Sequence, residues 1–166
     1  MPQDWADRHV ARWRDHWVGV EFEDDVEAIT VRMGRLMRHF RTTTAQAVAE
    51  VGLHDHDYQT LHLLMIRDTP GRASPSALAA DLGISGAGMT GRLDGLERAG
   101  FIRRTTAPED RRRVDVEVTE AGVQVWRAAM ALRGREEERV VHTLEPAERA
   151  SLAALLKRMT LSIEEP

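Results

Sequence analysis

The chain has 166 residues, of which 42% are hydrophobic and 30% charged, and a chain of this length can bury one sizeable core. It has no cysteine, which excludes a disulfide scaffold, a thiolate zinc site and a cysteine nucleophile. No apolar stretch approaches the roughly 20 residues of a membrane span, and the N-terminus lacks the pattern of a secretory signal, so we expect a cytoplasmic protein with no membrane partner.

The net charge of −4 conceals an uneven distribution. Residues 98–113 carry six arginines and two acidic residues, a local charge of +4, whereas the segments on both sides are acidic. Arginine has a planar guanidinium that suits phosphates and guanine edges. A charged run is also typical of a solvated surface, so its position in the fold has to decide between the two.

The first 51 residues favour helices. Apolar residues recur at intervals of three and four from Val10 to Trp17 and again from Val26 to Phe40. A charged cluster at residues 21–25 separates the two stripes, and Gly52 predicts the end of the second helix. A shorter helix is predicted over His56–Ile66, and a Pro-Gly turn ends it.

Two short helices separated by a glycine turn are predicted next, in the arrangement of a helix-turn-helix. The first covers Pro75–Asp81, with Ser74 at the cap and proline in the first turn. The second begins after Ser85, buries a stripe that includes Leu93, and ends at Gly100, a plausible left-handed C-cap.

After Gly100 the pattern changes to the alternation of β-strands. Phe101–Thr105 and Val114–Val118 predict two paired strands, rich in β-branched residues. Between them, Pro108–Arg113 places three arginines at the tip of a hairpin. Because this tip directly follows the helix-turn-helix, we favour entry into a nucleic-acid groove over a solvated surface.

Two further helices are predicted, one capped by Thr119 and one that begins around Pro146. The last helix carries an apolar stripe from Leu152 to Ile163, which exceeds what one small domain buries locally. This stripe favours a homodimer, and packing on its own subunit is the alternative.

Two sets of short motifs in this chain are typical of a known family. Around the second helix of the helix-turn-helix they are Leu82-Gly83-Ile84-Ser85, Met89-Thr90, Leu93-Asp94, Leu96-Glu97 and Ala99-Gly100-Phe101-Ile102-Arg103-Arg104. In the hairpin and the segment that follows it they are Glu109-Asp110-Arg111-Arg112, Val116, Val118-Thr119 and Gly122. Through the first set, which resembles a recognition helix, and the second, which resembles a wing and its exit, the chain resembles the MarR family of winged helix-turn-helix transcriptional regulators over about residues 25–163.

The resemblance implies a mainly α fold with a small antiparallel β-hairpin wing, in which the terminal helices form a dimerisation region. We expect one structural domain with N-terminal helices at 1–52 (dimerisation and ligand cleft), a winged helix-turn-helix at 53–120 and C-terminal dimerisation helices at 121–166. The implied function is a homodimeric regulator, expected to be a repressor, that binds a pseudo-palindromic duplex DNA operator and is relieved by a small anionic or aromatic effector. No cofactor is expected.

The residues that we predict to contact DNA lie in the recognition helix and the wing. They are Ser85, Gly86, Gly88, Thr90, Arg92, Arg104, Arg111, Arg112 and Arg113. Arg112 is expected to enter a minor groove, while Arg111 and Arg113 either approach phosphates or are solvated. The resemblance implies that Asp110 accepts a hydrogen bond from an arginine of the hairpin and holds the wing in shape.

Four glycines lie within the recognition helix, namely Gly86, Gly88, Gly91 and Gly95. Each lowers helix stability by about 1 kcal/mol relative to alanine. They indicate either a close approach of the backbone to DNA or a tolerant surface. Ser85 either contacts DNA or only caps the helix.

The N-terminal extension resembles the urate-responsive PecS-type branch of the family. This implies a ligand pocket at Trp13, Trp17, Tyr58, Gln59 and Arg92, although the tryptophans are also typical of a core. Gln59 stands where that branch carries an aspartate, so we expect an anionic ligand near Arg92 rather than urate itself.

The cluster of His54, His56 and His62 includes metal-capable groups, with Asp55 and Asp57 beside it. Both aspartates stand where a helix favours capping acids, so we predict no metal site. A winged-helix interaction module without DNA binding is the alternative function, and the acidic total charge favours it. No nucleophile–base pair or phosphate loop indicates an enzyme.

Overall fold

The computed structural model describes residues 2–14, 23–106 and 114–164. The packing divides the chain into two compact units, residues 1–43 and 44–166, with the boundary inside the second helix. The predicted boundaries at residues 52 and 120 separate segments by their expected functions and not by how compactly they pack. That division therefore stays a prediction.

Helices dominate the described residues, and the predicted helices and both predicted strands are present. In chain order the elements are α1 (Trp5–Trp13), α2 (Asp24–Glu50), α3 (Asp55–Ile66), β1 (Arg72–Ala73), α4 (Pro75–Asp81), α5 (Gly86–Arg98), β2 (Ile102–Thr106), β3 (Val114–Val118), α6 (Glu120–Val141) and α7 (Pro146–Glu164).

In the first unit, ion pairs join α1 to α2. Asp4 caps α1 by accepting from the backbone N–H of Asp7 at 2.9 Å. Arg32 of α2 then donates to Asp4 at 2.9 and 3.0 Å and to Asp7 at 2.6 Å, and this hydrogen bonding lowers the pKa of Asp4. The guanidinium of Arg35 lies 5.4 Å from the centre of the Trp5 ring.

In the second unit, the hydroxyl residues that the sequence places at helix starts act as caps. Ser74, Ser85 and Thr119 each accept a hydrogen bond from a backbone N–H three residues along, at 3.2, 3.1 and 3.1 Å. Each bond satisfies one of the donors that the first helical turn leaves open. These predictions are confirmed.

The sheet has three antiparallel strands in the order β1-β3-β2. Ile102 pairs with Val118 and Thr106 with Val114, as expected for a hairpin. The third strand, β1, was not predicted, and Arg72 in it pairs with Glu117. The wing therefore rests on a short strand from the segment before α4.

The core of the second unit lies between the helix-turn-helix and the sheet. Its fully buried large apolar side chains are Val48, Leu61, Leu64, Leu78, Met89, Leu93, Leu96 and Val116. They come from α2, α3, α4, α5 and β3, so the predicted recognition helix packs on the core through its apolar stripe and turns its opposite face outward.

The corner between α5 and β2 packs closely on the start of α6. Gly100 ends α5 with a φ of +77°, a left-handed conformation that glycine adopts without steric cost. The Thr119 hydroxyl donates to the Gly100 carbonyl at 2.7 Å. A Cβ atom on Gly122 would lie 2.0 Å from the Phe101 carbonyl oxygen, so only glycine fits there.

The final helix, α7, has no buried residue. Leu155 is 54% exposed and Ile163 is 78% exposed, and Leu152, Leu156 and Met159 are exposed as well. In the part of the chain that the structure describes, no helix combines the length and apolar character needed to cross a membrane.

Candidate nucleic-acid interface

The helix α5 presents a surface of small residues. Its first turns expose Ser85, Gly86, Gly88, Thr90 and Gly91, while Met89, Leu93 and Leu96 point into the core. Two of the hydroxyls already have partners in the helix: Ser85 accepts from the Gly88 N–H, and Thr90 donates to the Gly86 carbonyl at 2.9 Å. The capping role of Ser85 is therefore confirmed, and its role toward DNA stays a prediction.

The glycines of this surface are not required by packing. A Cβ atom on Gly86, Gly91 or Gly95 would meet no other group within 4 Å, whereas one on Gly88 would lie 3.3 Å from the Ser85 hydroxyl. Within the chain, these glycines therefore lower the stability of the helix and leave its outer surface without protruding side chains. Both predicted interpretations, close approach and a tolerant surface, are compatible with this arrangement.

Arg92 turns toward the start of α3 rather than straight outward. Its Nη1 atom donates to the His56 carbonyl at 3.5 Å, a long contact. Of the other residues in the predicted ligand pocket, Tyr58 is buried in the core, and Gln59 is exposed and donates to Asp55 at 2.6 Å. Trp13 belongs to the first unit, with its ring 6.1 Å from that of His9, and Trp17 lies outside the described residues.

Arg104, which we predicted to contact DNA, is held by two carboxylates of α5. Its Nη2 atom lies 2.6 Å from Asp94 Oδ1, and its Nη1 atom is paired with Glu97. The hydrogen bond to Asp94 is the main reason that the pKa of Arg104 is raised. This cluster joins the recognition helix to the base of the wing.

A second ion-pair network, which was not predicted from the sequence, crosses the other face of the wing base. Arg103 donates to Glu117 at 3.0 and 2.8 Å, and Glu117 also pairs with Arg72 at 3.2 Å. Arg72 in turn pairs with Asp115 at 3.1 Å, although Asp115 is only 5% exposed. The predicted wing-tip residues Asp110, Arg111, Arg112 and Arg113 lie outside the described residues.

Polar contacts also join α3 to α6, and these were not predicted. Trp126 donates to His62 Nδ1 at 3.2 Å, and Arg133 donates to the Tyr58 hydroxyl at 3.4 Å. Burial and, secondarily, the charge of Arg133 lower the pKa of His62. His62 is therefore part of a packed helix contact, while the rings of His54 and His56 stack on each other at 5.4 Å.

Comparison with known proteins supplies the family. The sequence profile of the MarR family matches residues 58–114. The HTH-type transcriptional regulator PecS of Dickeya dadantii is 31% identical over 152 residues, which cover 90% of this chain and 89% of PecS. The chain belongs to the MarR family. As a member of the MarR family it is a DNA-binding, winged helix-turn-helix regulator of transcription, and neither family nor relative is named as an enzyme.

Solved structures share the fold. The crystal structure of RV1404 from Mycobacterium tuberculosis has a TM-score of 0.71 and 27% identity, covering 87% of this chain and 97% of that one. A single-residue mutant of S. aureus MepR bound to an oligodeoxyribonucleotide has a TM-score of 0.63 and 21% identity, covering 86% of this chain and 99% of that one. The predicted family and fold class are thus confirmed for this MarR-family chain.

Proposed function

We propose that this MarR-family chain is a homodimeric repressor that binds a pseudo-palindromic operator and releases it when a small anionic or aromatic effector binds. The observation that carries the proposal is the recognition helix α5, which is seated by Met89, Leu93 and Leu96 and exposes a low surface of small residues. A helix of this kind can lie in the major groove with its N-terminal residues at base edges and phosphates.

The roles within the interface follow from charge and size. Ser85, Thr90 and the N–H groups of the first turn of α5 contact phosphates or base edges, since the start of a helix favours anions. In the wing, Arg112 enters the minor groove, Arg111 and Arg113 approach phosphates, and Asp110 holds the wing in shape. MepR, the structural neighbour bound to an oligodeoxyribonucleotide, supports a DNA-facing role for this fold.

Exposed apolar side chains support the dimer. The helix α7 exposes Leu155 and Ile163 to solvent, and in the first unit Val26, Ile29 and Met37 are about half exposed. Side chains of this size stabilise a protein when they are removed from water, and a second copy supplies the matching surface by two-fold symmetry. Such a dimer presents two α5 helices to two half-sites of one duplex, and a dimer seated on promoter DNA represses by occupying it.

The effector part of the proposal depends on Arg92. Its guanidinium lies beside the first turn of α3, where an anion can compete with the long bond to the His56 carbonyl. An effector there acts on the placement of α5 directly, because Arg92 belongs to that helix. Because its target is duplex DNA, we propose that the protein acts in the cytoplasm, where chromosomal DNA is accessible.

Selection of bound duplexes from a random pool tests the proposal. We expect a palindromic consensus whose half-sites lie about one helical turn apart. Retention of no duplex at low salt contradicts DNA binding and favours the alternative, an interaction module that has kept only the fold. A consensus without a palindrome contradicts the dimer.

The wing is tested by Arg112→Ala. We expect binding of the selected duplex to weaken by at least about 1 kcal/mol, because a guanidinium leaves the minor groove, with no change in melting temperature. Arg127→Ala, which removes the same charge from an exposed position of α6, is the matched control. Equal affinities of wild type and Arg112→Ala in an anisotropy titration contradict the assigned role.

A further inference from the structure

Two carboxylates stand on the helix that we propose to face DNA. Asp94 and Glu97 lie one turn apart on α5, and their side chains are 50% and 38% exposed. A carboxylate close to a duplex is repelled by the phosphates, and it carries no donor for a phosphate oxygen. A DNA-facing helix with two acids therefore binds a duplex better when a nearby cation offsets their charge.

Arg104 is placed to pair with both carboxylates, and its single positive charge halves their combined negative charge. One guanidinium nitrogen lies 2.6 Å from Asp94 Oδ1 and the other pairs with Glu97, so a single side chain spans the two acids. The backbone N–H of Arg104 also donates to Glu97 Oε1 at 3.1 Å. The acids of α5 thus fix strand β2, and with it the base of the wing, relative to the recognition helix.

The neighbouring arginine shows that this is not a general property of the strand. Arg103 points to the opposite face of the sheet and donates to Glu117 of β3. Its side chain is 68% exposed, whereas that of Arg104 is 31% exposed. Of these two adjacent arginines, Arg104 forms ion pairs with the recognition helix, whereas Arg103 pairs with the neighbouring strand β3.

We propose that Arg104 is a positioning residue for DNA binding: it pairs with Asp94 and Glu97, offsets part of their negative charge beside the phosphates, and does not itself contact DNA. The inference rests on the proposed DNA-binding function. Partly exposed ion pairs contribute little to folding stability. The effect of Arg104 should therefore be seen in DNA affinity far more than in the melting temperature.

A mutant cycle separates this role from direct contact. Arg104→Ala is made in the wild type and in the double variant Asp94→Asn, Glu97→Gln, whose amide oxygens can still accept from the guanidinium but carry no charge. Affinity for a mixed-sequence duplex at low salt is measured by fluorescence anisotropy, together with the melting temperature of each variant. Arg103→Ala in both backgrounds is the matched control.

In the wild-type background we expect Arg104→Ala to weaken binding about tenfold, because it leaves two uncompensated carboxylates beside the phosphates. In the neutral background we expect Arg104→Ala to weaken binding no more than Arg103→Ala does, since no charged carboxylate is left unpaired. Arg103→Ala should cost the same in both backgrounds. Should Arg104→Ala fail to fold, Arg104→Gln, which still donates to one acid, replaces it in the same cycle.

Two results overturn the inference and leave DNA binding intact. An equal loss in both backgrounds identifies Arg104 as a direct DNA contact, and no loss in the wild-type background removes it from the interface altogether. If the wild type retains no duplex, the proposed function itself fails, and the role of Arg104 fails with it.

Discussion

The molecule exposes two helical surfaces of opposite chemistry. The helix α5 exposes Ser85, Thr90 and several glycines over a fully buried apolar stripe. The helix α7 has no buried residue and exposes leucines, a methionine and an isoleucine instead. Neither surface is covered by the residues that the structure describes, so the chemistry of each surface indicates the kind of partner that it binds.

The comparison separates affinity for a polyanion from affinity for protein. A polar surface of small residues at the start of a helix binds phosphate oxygens, and it is not stabilised by the removal of water. An apolar surface is stabilised by that removal, at roughly 25 cal/mol for each Å² of apolar area that is buried. Under the proposed function α5 contacts DNA and α7 packs against a second copy of the chain, and the following variants test each part of that proposal.

The largest effect is expected from a charge on the apolar surface of α7. Leu155→Asp would bury an unpaired carboxylate in the proposed dimer interface, twice because of the two-fold symmetry. We expect the dimer to dissociate at least about a hundredfold more readily, and operator affinity to fall with it. Sedimentation velocity over a concentration series measures the change.

Lys157→Asp is the control for Leu155→Asp. The two positions are separated by about 200° around the helix, so Lys157 faces away from the apolar stripe. We expect this variant to sediment like the wild type. A wild type that is monomeric at micromolar concentration, or a Leu155→Asp protein that still dimerises, would remove α7 from the interface.

A smaller effect is expected on the surface of α5. A methyl group on Gly91 meets no other group within 4 Å, so Gly91→Ala should stabilise the fold by up to about 1 kcal/mol through helix propensity. If the backbone of α5 approaches DNA closely, the same methyl group should weaken duplex binding by about 1 kcal/mol or more.

Gly134→Ala is the matched control, because Gly134 lies in α6 and a Cβ atom there also meets nothing within 4 Å. We expect the same gain in melting temperature with unchanged DNA affinity. Unchanged affinity in Gly91→Ala as well would decide for a tolerant surface and against close approach.

Signals that act within a few residues predicted much of this fold. Ser74, Ser85 and Thr119 cap the helices that follow them, and Gly100 has the left-handed conformation that was expected of it. Caps and left-handed glycines are properties of one turn of chain, so the sequence around them contains all the information they need.

Features that depend on distant partners were not predicted. The strand β1 consists of two residues, and only its pairing with β3 makes it a strand. The alternation of residues 114–118 predicted β3 correctly, but Val114 is 48% exposed and Asp115 is buried. Arg72, which lies 43 residues away in the sequence, pairs with Asp115 and so permits that burial.

One signal for the candidate site was present and was not used. Asp94 and Glu97 are three residues apart on α5, so they share a helix face, and Arg104 follows in the middle of strand β2. Two acids on a face assigned to DNA indicate an internal cation. The arginines at 103 and 104 alternate across β2, and that alternation alone gives them different faces.

The smallest expected effect concerns the packed contact between α3 and α6. Burial lowers the pKa of His62 from its usual value of 6.5, with a contribution from Arg133, so the unfolded chain binds this proton more readily than the folded one. Stability should therefore fall as the pH drops through about 6.5, and this part of the fall should be absent in His62→Gln, which can still accept from Trp126. We expect the decrease in melting temperature between about pH 7.5 and pH 5.5 to be smaller in the variant, by a few degrees at most.

A second variant changes the charge beside His62. Because Glu137 pairs with Arg133 at 2.6 Å, Glu137→Gln should leave the charge of Arg133 less compensated. The melting temperature of this variant should then decrease with falling pH slightly more steeply than that of the wild type. Identical pH profiles of the wild type and His62→Gln would mean that groups other than His62 cause the loss of stability at low pH. The core on which the recognition helix packs would then be insensitive to the protonation of His62.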